Sequence, residues 1–266
     1  MNVAVTTSRR PTSVNIRRAK GYARALGVPF VPREGRSLVD TVQIGAKHHS
    51  DPLVGALVVG EELTVWTPEG ALFYHPGMAL HRVAALRRGE SDTMVEALRL
   101  RPGDEGLDCT AGLASDAVVS SHVVGPTGRV VALESVGVLA LLLKVGLRCY
   151  PGQGPALTAA MRRVRVRHCE YTRYLSSCAP KSFDVVYFDP MFAQPVEESK
   201  DMAPLRPLAD HSPLTETALR LACRVARRLV GVKDRRHGPL HTGCEWDDIG
   251  GGKKSRVVYL VRYVDR

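Results

Sequence analysis

Glu105-Gly106-Leu107-Asp108-Cys109-Thr110-Ala111-Gly112-Leu113-Ala114-Ser115-Asp116 reads as a short strand, a tight turn at Gly112 and the opening of a helix. Working outward, the spacing predicts a helix over 116–124, a strand over 129–133, a helix over 136–147 and strands at 164–168, 184–188 and 229–233. A helix over 214–227 precedes the last of these. Strands that alternate with helices build a parallel sheet covered on both faces. After the Gly250-Gly251-Gly252 turn, 255–264 reads as a long final strand, with an antiparallel partner expected at 242–247.

The N-terminal part has a different rhythm. Residues 2–7 predict a strand, and Thr12 or Ser13 can cap a helix that Gly27 ends. Strands are expected at 28–31, 56–59, 62–67 and 71–74, with helices over 37–47 and near 78–86. The expected organisation is a small basic α/β domain at 1–88, followed by a doubly wound α/β domain with a C-terminal antiparallel hairpin at 89–266. That second architecture resembles class I S-adenosylmethionine-dependent methyltransferases, which have a Rossmann-like sheet.

The 266 residues are 44% hydrophobic and 24% charged, which excludes disordered and collagen-like classes. No apolar run reaches the ~18 residues of a membrane span, and the N-terminus lacks a secretory pattern, so no membrane association and a cytoplasmic location are expected. The six cysteines contain no C-x-x-C pair, so they read as reduced thiols, and no metal site is expected; His48-His49 reads as a loop pair. The formal net charge is +10. Arg9, Arg10, Arg17, Arg18, Lys20, Arg24, Arg33 and Arg36 face only Glu34 and Asp40 within 1–40, which points to a polyanionic partner such as RNA. Further basic clusters lie at 162–167 and 224–236, where ordinary solvated helix faces are the competing reading.

The Asp108–Asp116 loop leaves the carboxyl end of a strand, where open α/β sheets bind ligands. Glu134 ends the next strand, 22 residues after Gly112, where its carboxylate can bond both hydroxyls of a ribose. The dinucleotide fingerprint G-x-G-x-x-G is absent, and a pyrophosphate would meet the carboxylates of Asp108 and Asp116. The ammonium and sulfonium of S-adenosylmethionine suit those acids, so this cofactor is expected over NAD. Glu170 and Tyr171 follow the third strand and could border the adenine, or equally cap the next helix.

Val185-Val186-Tyr187-Phe188-Asp189-Pro190-Met191-Phe192 delivers Asp-Pro and an aromatic from a buried strand. This resembles the Asp/Asn-Pro-Pro-Tyr/Phe motif of amino-group nucleic-acid methyltransferases. An exocyclic amine is a poor nucleophile, because its lone pair is delocalised into the ring. The Asp189 carboxylate and Pro190 carbonyl could accept its two N–H groups and turn the lone pair toward the methyl. Phe192 would stack on the base.

Asp108–Asp116, Leu133-Glu134 and Tyr187–Phe192 also resemble the bacterial 16S ribosomal RNA guanine-N2 methyltransferase family. Its motifs read Asp-Ala-Thr-Ala-Gly-Leu-Gly-Arg-Asp and Leu-Asp-Pro-Met-Phe-Pro. The likeness covers roughly residues 90–240 and implies cofactor contacts at Ser115, Asp116, Glu134, Ser135, Glu170, Tyr171 and Asp189. Ala114 stands where that family has glycine, Ser115 and Ser135 where it has arginine, and Ala193 where it has proline. The N-terminal half looks more like a sister group of class I methyltransferases without an assigned substrate. The expected activity is methylation of an exocyclic amine of RNA, guanine N2 of ribosomal RNA above others. A methyltransferase of small-molecule or protein amines, and a non-catalytic RNA-binding protein on the same fold, are the alternatives.

Overall fold

A computed structural model describes residues 2–190, 204–243, 245–252 and 255–264. Phe192, named above as the stacking aromatic, lies outside the described residues. The first elements are β1 (Asn2–Thr7), α1 (Ser13–Leu26), α2 (Leu38–Ala46), β2 (Leu53–Val59), β3 (Leu63–Thr67), β4 (Gly70–Phe73), α3 (Ala79–Arg87) and α4 (Thr93–Ala97). There follow β5 (Glu105–Asp108), α5 (Ser115–Val124), β6 (Arg129–Glu134), α6 (Gly137–Cys149), α7 (Pro155–Arg163), β7 (Arg165–His168), α8 (Tyr171–Ser177) and β8 (Phe183–Phe188). The last are α9 (Glu216–Val225), β9 (Ala226–Arg235), α10 (Pro239–Gly243), β10 (Asp248–Gly250) and β11 (Val257–Tyr263). None of the described helices is long and apolar enough to cross a membrane.

The chain forms two compact units. The first holds β1–β4, α1 and α2, together with α6 from further along the chain. Its sheet has the order β1-β2-β3-β4, with β1 and β2 parallel and the other pairs antiparallel. Val3, Val5, Leu57, Val59 and Val65 fill its core. Thr12 caps α1 by accepting the Asn15 N–H at 3.2 Å, and Gly27 ends that helix at φ 67°. Ser37 and Asp40 form a reciprocal cap on α2. The strand expected at 28–31 reduces to one bridge, Val5 with Phe30, because Pro29 and Pro32 have no N–H to extend a ladder. In α6, Gly146 lies against Tyr74 so closely that a Cβ would fall 2.0 Å from the ring. The ring of Tyr74 also meets Tyr150 edge-on.

The second unit begins with α3, which the sequence reading placed before the boundary. Its sheet runs β10-β11-β9-β8-β5-β6-β7. The strands from β7 to β9 are parallel, while β11 and β10 are antiparallel. This is the doubly wound sheet with an antiparallel C-terminal pair that the sequence implied. Leu107, Leu133, Val186, Phe188, Val230 and Leu260 form its core, against which α9 buries Ala218, Leu219, Ala222 and Val225. Besides β9, β11 pairs with β10 rather than with 242–247. Asp234 explains the shift: its buried carboxylate accepts the N–H groups of Leu240 and His241 at 3.0 and 2.9 Å, which holds the preceding segment as α10. The chain proceeds from β5 to β6 on one side and later returns to β8 on the other. The carboxyl ends of β5 and β8 therefore flank the switch point, where such sheets take ligands.

Candidate active site

Backbone hydrogen bonds carry the sheet into the loop after β5. Cys109 N–H bonds the Tyr187 carbonyl and Ala111 N–H the Leu133 carbonyl, each at 2.9 Å. The turn into α5 uses two left-handed residues, Gly112 at φ 52° and Ala114 at φ 60°. The first is free of strain, whereas alanine in this region costs about 1–2 kcal/mol. Gly112 N–H donates to Glu134 Oε2 at 3.2 Å, and Asp189 N–H donates to Thr110 Oγ1 at 2.6 Å. Thr110 N–H in turn bonds Asp108 Oδ1 at 3.0 Å. Asp108, Gly112, Glu134 and Asp189 thus converge on one edge.

Four carboxylates crowd this edge, and their environments differ. Burial pushes Asp108 up to about 8, against the Thr110 N–H and helped by the charges of Asp116, Asp189 and Glu134. Burial would raise Asp116 as well, but Lys233 and Arg82 outweigh it and hold Asp116 below the usual range. Its oxygens meet Arg82 Nη1, the Tyr187 hydroxyl at 2.9 Å and Lys233 Nζ at 3.7 Å. Arg82 is itself fixed by two bonds to Asp92, at 2.7 and 2.9 Å. Asp189 Oδ2 accepts from Lys233 Nζ at 2.7 Å; burial nevertheless leaves its carboxyl raised, with Lys233 opposing.

The other expected contacts are placed as follows. Ser115 Oγ is buried at the start of α5 with no hydrogen-bond partner among the described residues. Ser135 Oγ bonds Asp210 Oδ2 at 3.3 Å. Glu170 caps α8, its two oxygens accepting the N–H groups of Thr172 and Arg173 at 2.7 and 2.8 Å. Tyr171 packs edge-on against Phe188, with centroids 5.5 Å apart. Pro190 directly follows Asp189 and contributes a carbonyl but no donor.

Sequence reading gave no site role to Lys233, Arg82, Thr110 or Asp210. Lys233 carried a signal: it directly follows the apolar run Leu229-Val230-Gly231-Val232 on a buried strand. Two arginines of the basic cluster around it are paired with acids of the same unit. Arg227 pairs with Glu105 and Asp184 at 2.9 and 3.1 Å, and Arg228 reaches Asp104 at 2.5 Å.

The edge suits a cationic nucleoside. It offers an orphaned buried hydroxyl on Ser115, open space at Gly112 where a Cβ would meet nothing, and more carboxylates than nearby cations. Asp108 and Asp116 would face cationic groups, and Glu134 is placed for ribose hydroxyls.

Residues 72–260 match the model of the family described as "Putative SAM-dependent methyltransferase". The protein YpiP of Bacillus subtilis (strain 168) is 38% identical over 261 residues, 97% of each chain. Ribosomal RNA small subunit methyltransferase J of Coxiella burnetii (strain RSA 331 / Henzerling II) is 31% identical over 182 residues, 65% of this chain and 68% of that one. Among solved structures, the SAM-dependent methyltransferase NGO1261 of Neisseria gonorrhoeae aligns with a TM-score of 0.63 over 99% of this chain and 96% of its own. At 19% identity that likeness shows the fold alone. The family match over most of the chain, on the doubly wound sheet and its acidic switch-point edge, makes this chain a member of the S-adenosylmethionine-dependent methyltransferase family, an enzyme whose cofactor is S-adenosylmethionine.

Proposed function

We propose that this methyltransferase modifies an exocyclic amine of RNA, with guanine N2 of ribosomal RNA as the favoured target. The observation that carries the reading is Asp189-Pro190 at the carboxyl end of β8, beside the loop from β5 and joined to it through Thr110. The relative named for small-subunit ribosomal RNA and the basic segment 1–40 support RNA as the substrate.

The cofactor supplies an electrophilic methyl group on a sulfonium. Asp189 and the Pro190 carbonyl accept the amine's two N–H groups, and Asp189 offsets the positive charge that grows on nitrogen as the bond forms. Lys233 opposes the upward shift that burial imposes on Asp189 and so favours its ionised form. Positioning of this kind can supply up to about 7–11 kcal/mol. Nucleoside analysis by mass spectrometry of ribosomal RNA from cells lacking the protein should reveal one missing methylated guanosine. A full complement of methylated nucleosides would argue for a small-molecule or protein amine instead.

Two pH effects follow. Lys233→Met removes the cation opposing the raised Asp189, so the acid limb of the pH–rate profile moves to higher pH, and the rate at pH 6 falls about 10- to 100-fold. Lys233→Arg should retain most of the rate. An unmoved profile in the methionine variant would show that Asp189 works without its lysine.

Asp108, at about 8 without ligand, must lose its proton when a cation binds beside it. Affinity for S-adenosylmethionine should rise from pH 6 to 8 and then level off, with calorimetry in buffers of different ionisation enthalpy recording proton release. The unliganded fold responds in the opposite sense. Its carboxyl is raised from 3.8 to about 8, so the stabilising contribution is full below about pH 4 and lost as pH rises through 8. Asp108→Asn should abolish both trends.

A further inference from the structure

Arg33 is largely covered, at 8% exposed; its Nε is buried with no hydrogen-bond partner, and no carboxylate pairs with it among the described residues. The adjacent acids are committed elsewhere: Glu34 pairs with Arg36 at 2.5 Å, and Asp40 closes the cap on α2 with Ser37. The charged group that acts on Arg33 is another guanidinium, that of Arg9, which together with burial lowers its basicity. Two guanidinium groups that repel each other favour an anion between them.

The backbone places this pair at a ligand-binding position. Val5 N–H bonds the Pro29 carbonyl at 2.9 Å and Val31 N–H the Val5 carbonyl at 2.8 Å, so the segment before Arg33 runs parallel to β1 along one side. On the other side β2 runs parallel to β1, and Ser8 N–H bonds the Val59 carbonyl at 3.1 Å. The connection through α1 leads from β1 to the segment on one side, and the connection through α2 leads from that segment to β2 on the other, so the carboxyl end of β1 lies at a second switch point, within the N-terminal unit. From that end Arg9 and Arg10 lead into α1, a 14-residue helix with no acidic residue in its first turn. Such a terminus favours anions, and guanidinium groups match phosphate oxygens.

We propose that the carboxyl edge of β1, between Arg9 and the buried Arg33 and beside the start of α1, is a phosphate-binding site that takes a backbone phosphate of the RNA substrate. The identity of the phosphate's owner rests on the RNA reading above; the site itself does not.

The test uses the full chain and two probes, inorganic phosphate and a labelled single-stranded RNA. Phosphate should raise the melting temperature of the wild type saturably, relative to chloride at equal ionic strength. Arg33→Met should melt no lower than the wild type without phosphate, because it relieves the repulsion with Arg9, and should not respond to phosphate. Arg9→Gln, at an exposed position, should weaken the phosphate response without altering the fold. Against RNA, Arg33→Met should lower the slope of log affinity on log salt by about 0.7 and leave S-adenosylmethionine binding intact. No saturable response in the wild type, or an unchanged one in Arg33→Met, overturns the site even if RNA still binds. A lost phosphate response with an unchanged RNA slope overturns RNA as its ligand and leaves the phosphate site standing.

Discussion

Asp189→Ala is expected to reduce methyl transfer about 10²- to 10³-fold, almost entirely in turnover. The side chain lies where β8 ends and would accept the reacting amine, so its loss removes an interaction that strengthens as charge develops. The fold should survive, because Lys233 still has Asp116 at 3.7 Å and Asp116 keeps Arg82 and Tyr187. Asp189→Asn separates acceptor geometry from charge: its amide oxygen can still accept an N–H, but it offers Lys233 no negative charge. Single-turnover rates of the two variants, measured with cofactor saturating, should fall in the order wild type, asparagine, alanine. Near-normal turnover in the alanine variant would remove Asp189 from the chemistry.

The second large effect is expected for Glu134→Ala, which should weaken S-adenosylmethionine binding about 10- to 100-fold, the worth of a charge-assisted hydrogen bond at 1.5–3 kcal/mol. Two losses combine there. The ribose hydroxyls lose their acceptor, and Gly112 N–H loses the oxygen that pins the loop at 3.2 Å. Glu134→Gln keeps the oxygen for Gly112 but not the charge, so calorimetry should place it between the wild type and the alanine variant. Equal affinity in all three proteins would show that the cofactor does not use the end of β6.

The site elements that were legible in the sequence are local ones. The Asp108–Asp116 turn, the carboxylate 22 residues beyond Gly112 and the Asp-Pro after an apolar strand each sit within one strand-to-loop junction. Their spacing is set by the backbone, and parallel pairing then brings them to one edge. The pairing of Lys233 with Asp189 was not legible, because it depends on β9 lying beside β8 rather than on any spacing along the chain. The same holds for Asp234, whose carboxylate collects two N–H groups and turns part of an expected strand into α10. A contiguous boundary at residue 88 could not capture α6, which belongs with β1–β4 although it follows β6 in sequence. Glu170 was legible only as a pair of alternatives, and the geometry shows the cap on α8. The arginine clusters were legible as charge but not as partners. Arg227 and Arg228 pair with acids of the same unit, whereas Arg33 has no carboxylate partner among the described residues.

Incubating the purified protein with ribosomal RNA and isotopically methyl-labelled S-adenosylmethionine, then digesting the RNA to nucleosides for mass spectrometry, tests the amine-methylation account most directly. The expected result is labelled N2-methylguanosine that disappears with Asp189→Ala. Label confined to a small molecule or to protein, or label on a ribose or ring carbon of RNA, would contradict it.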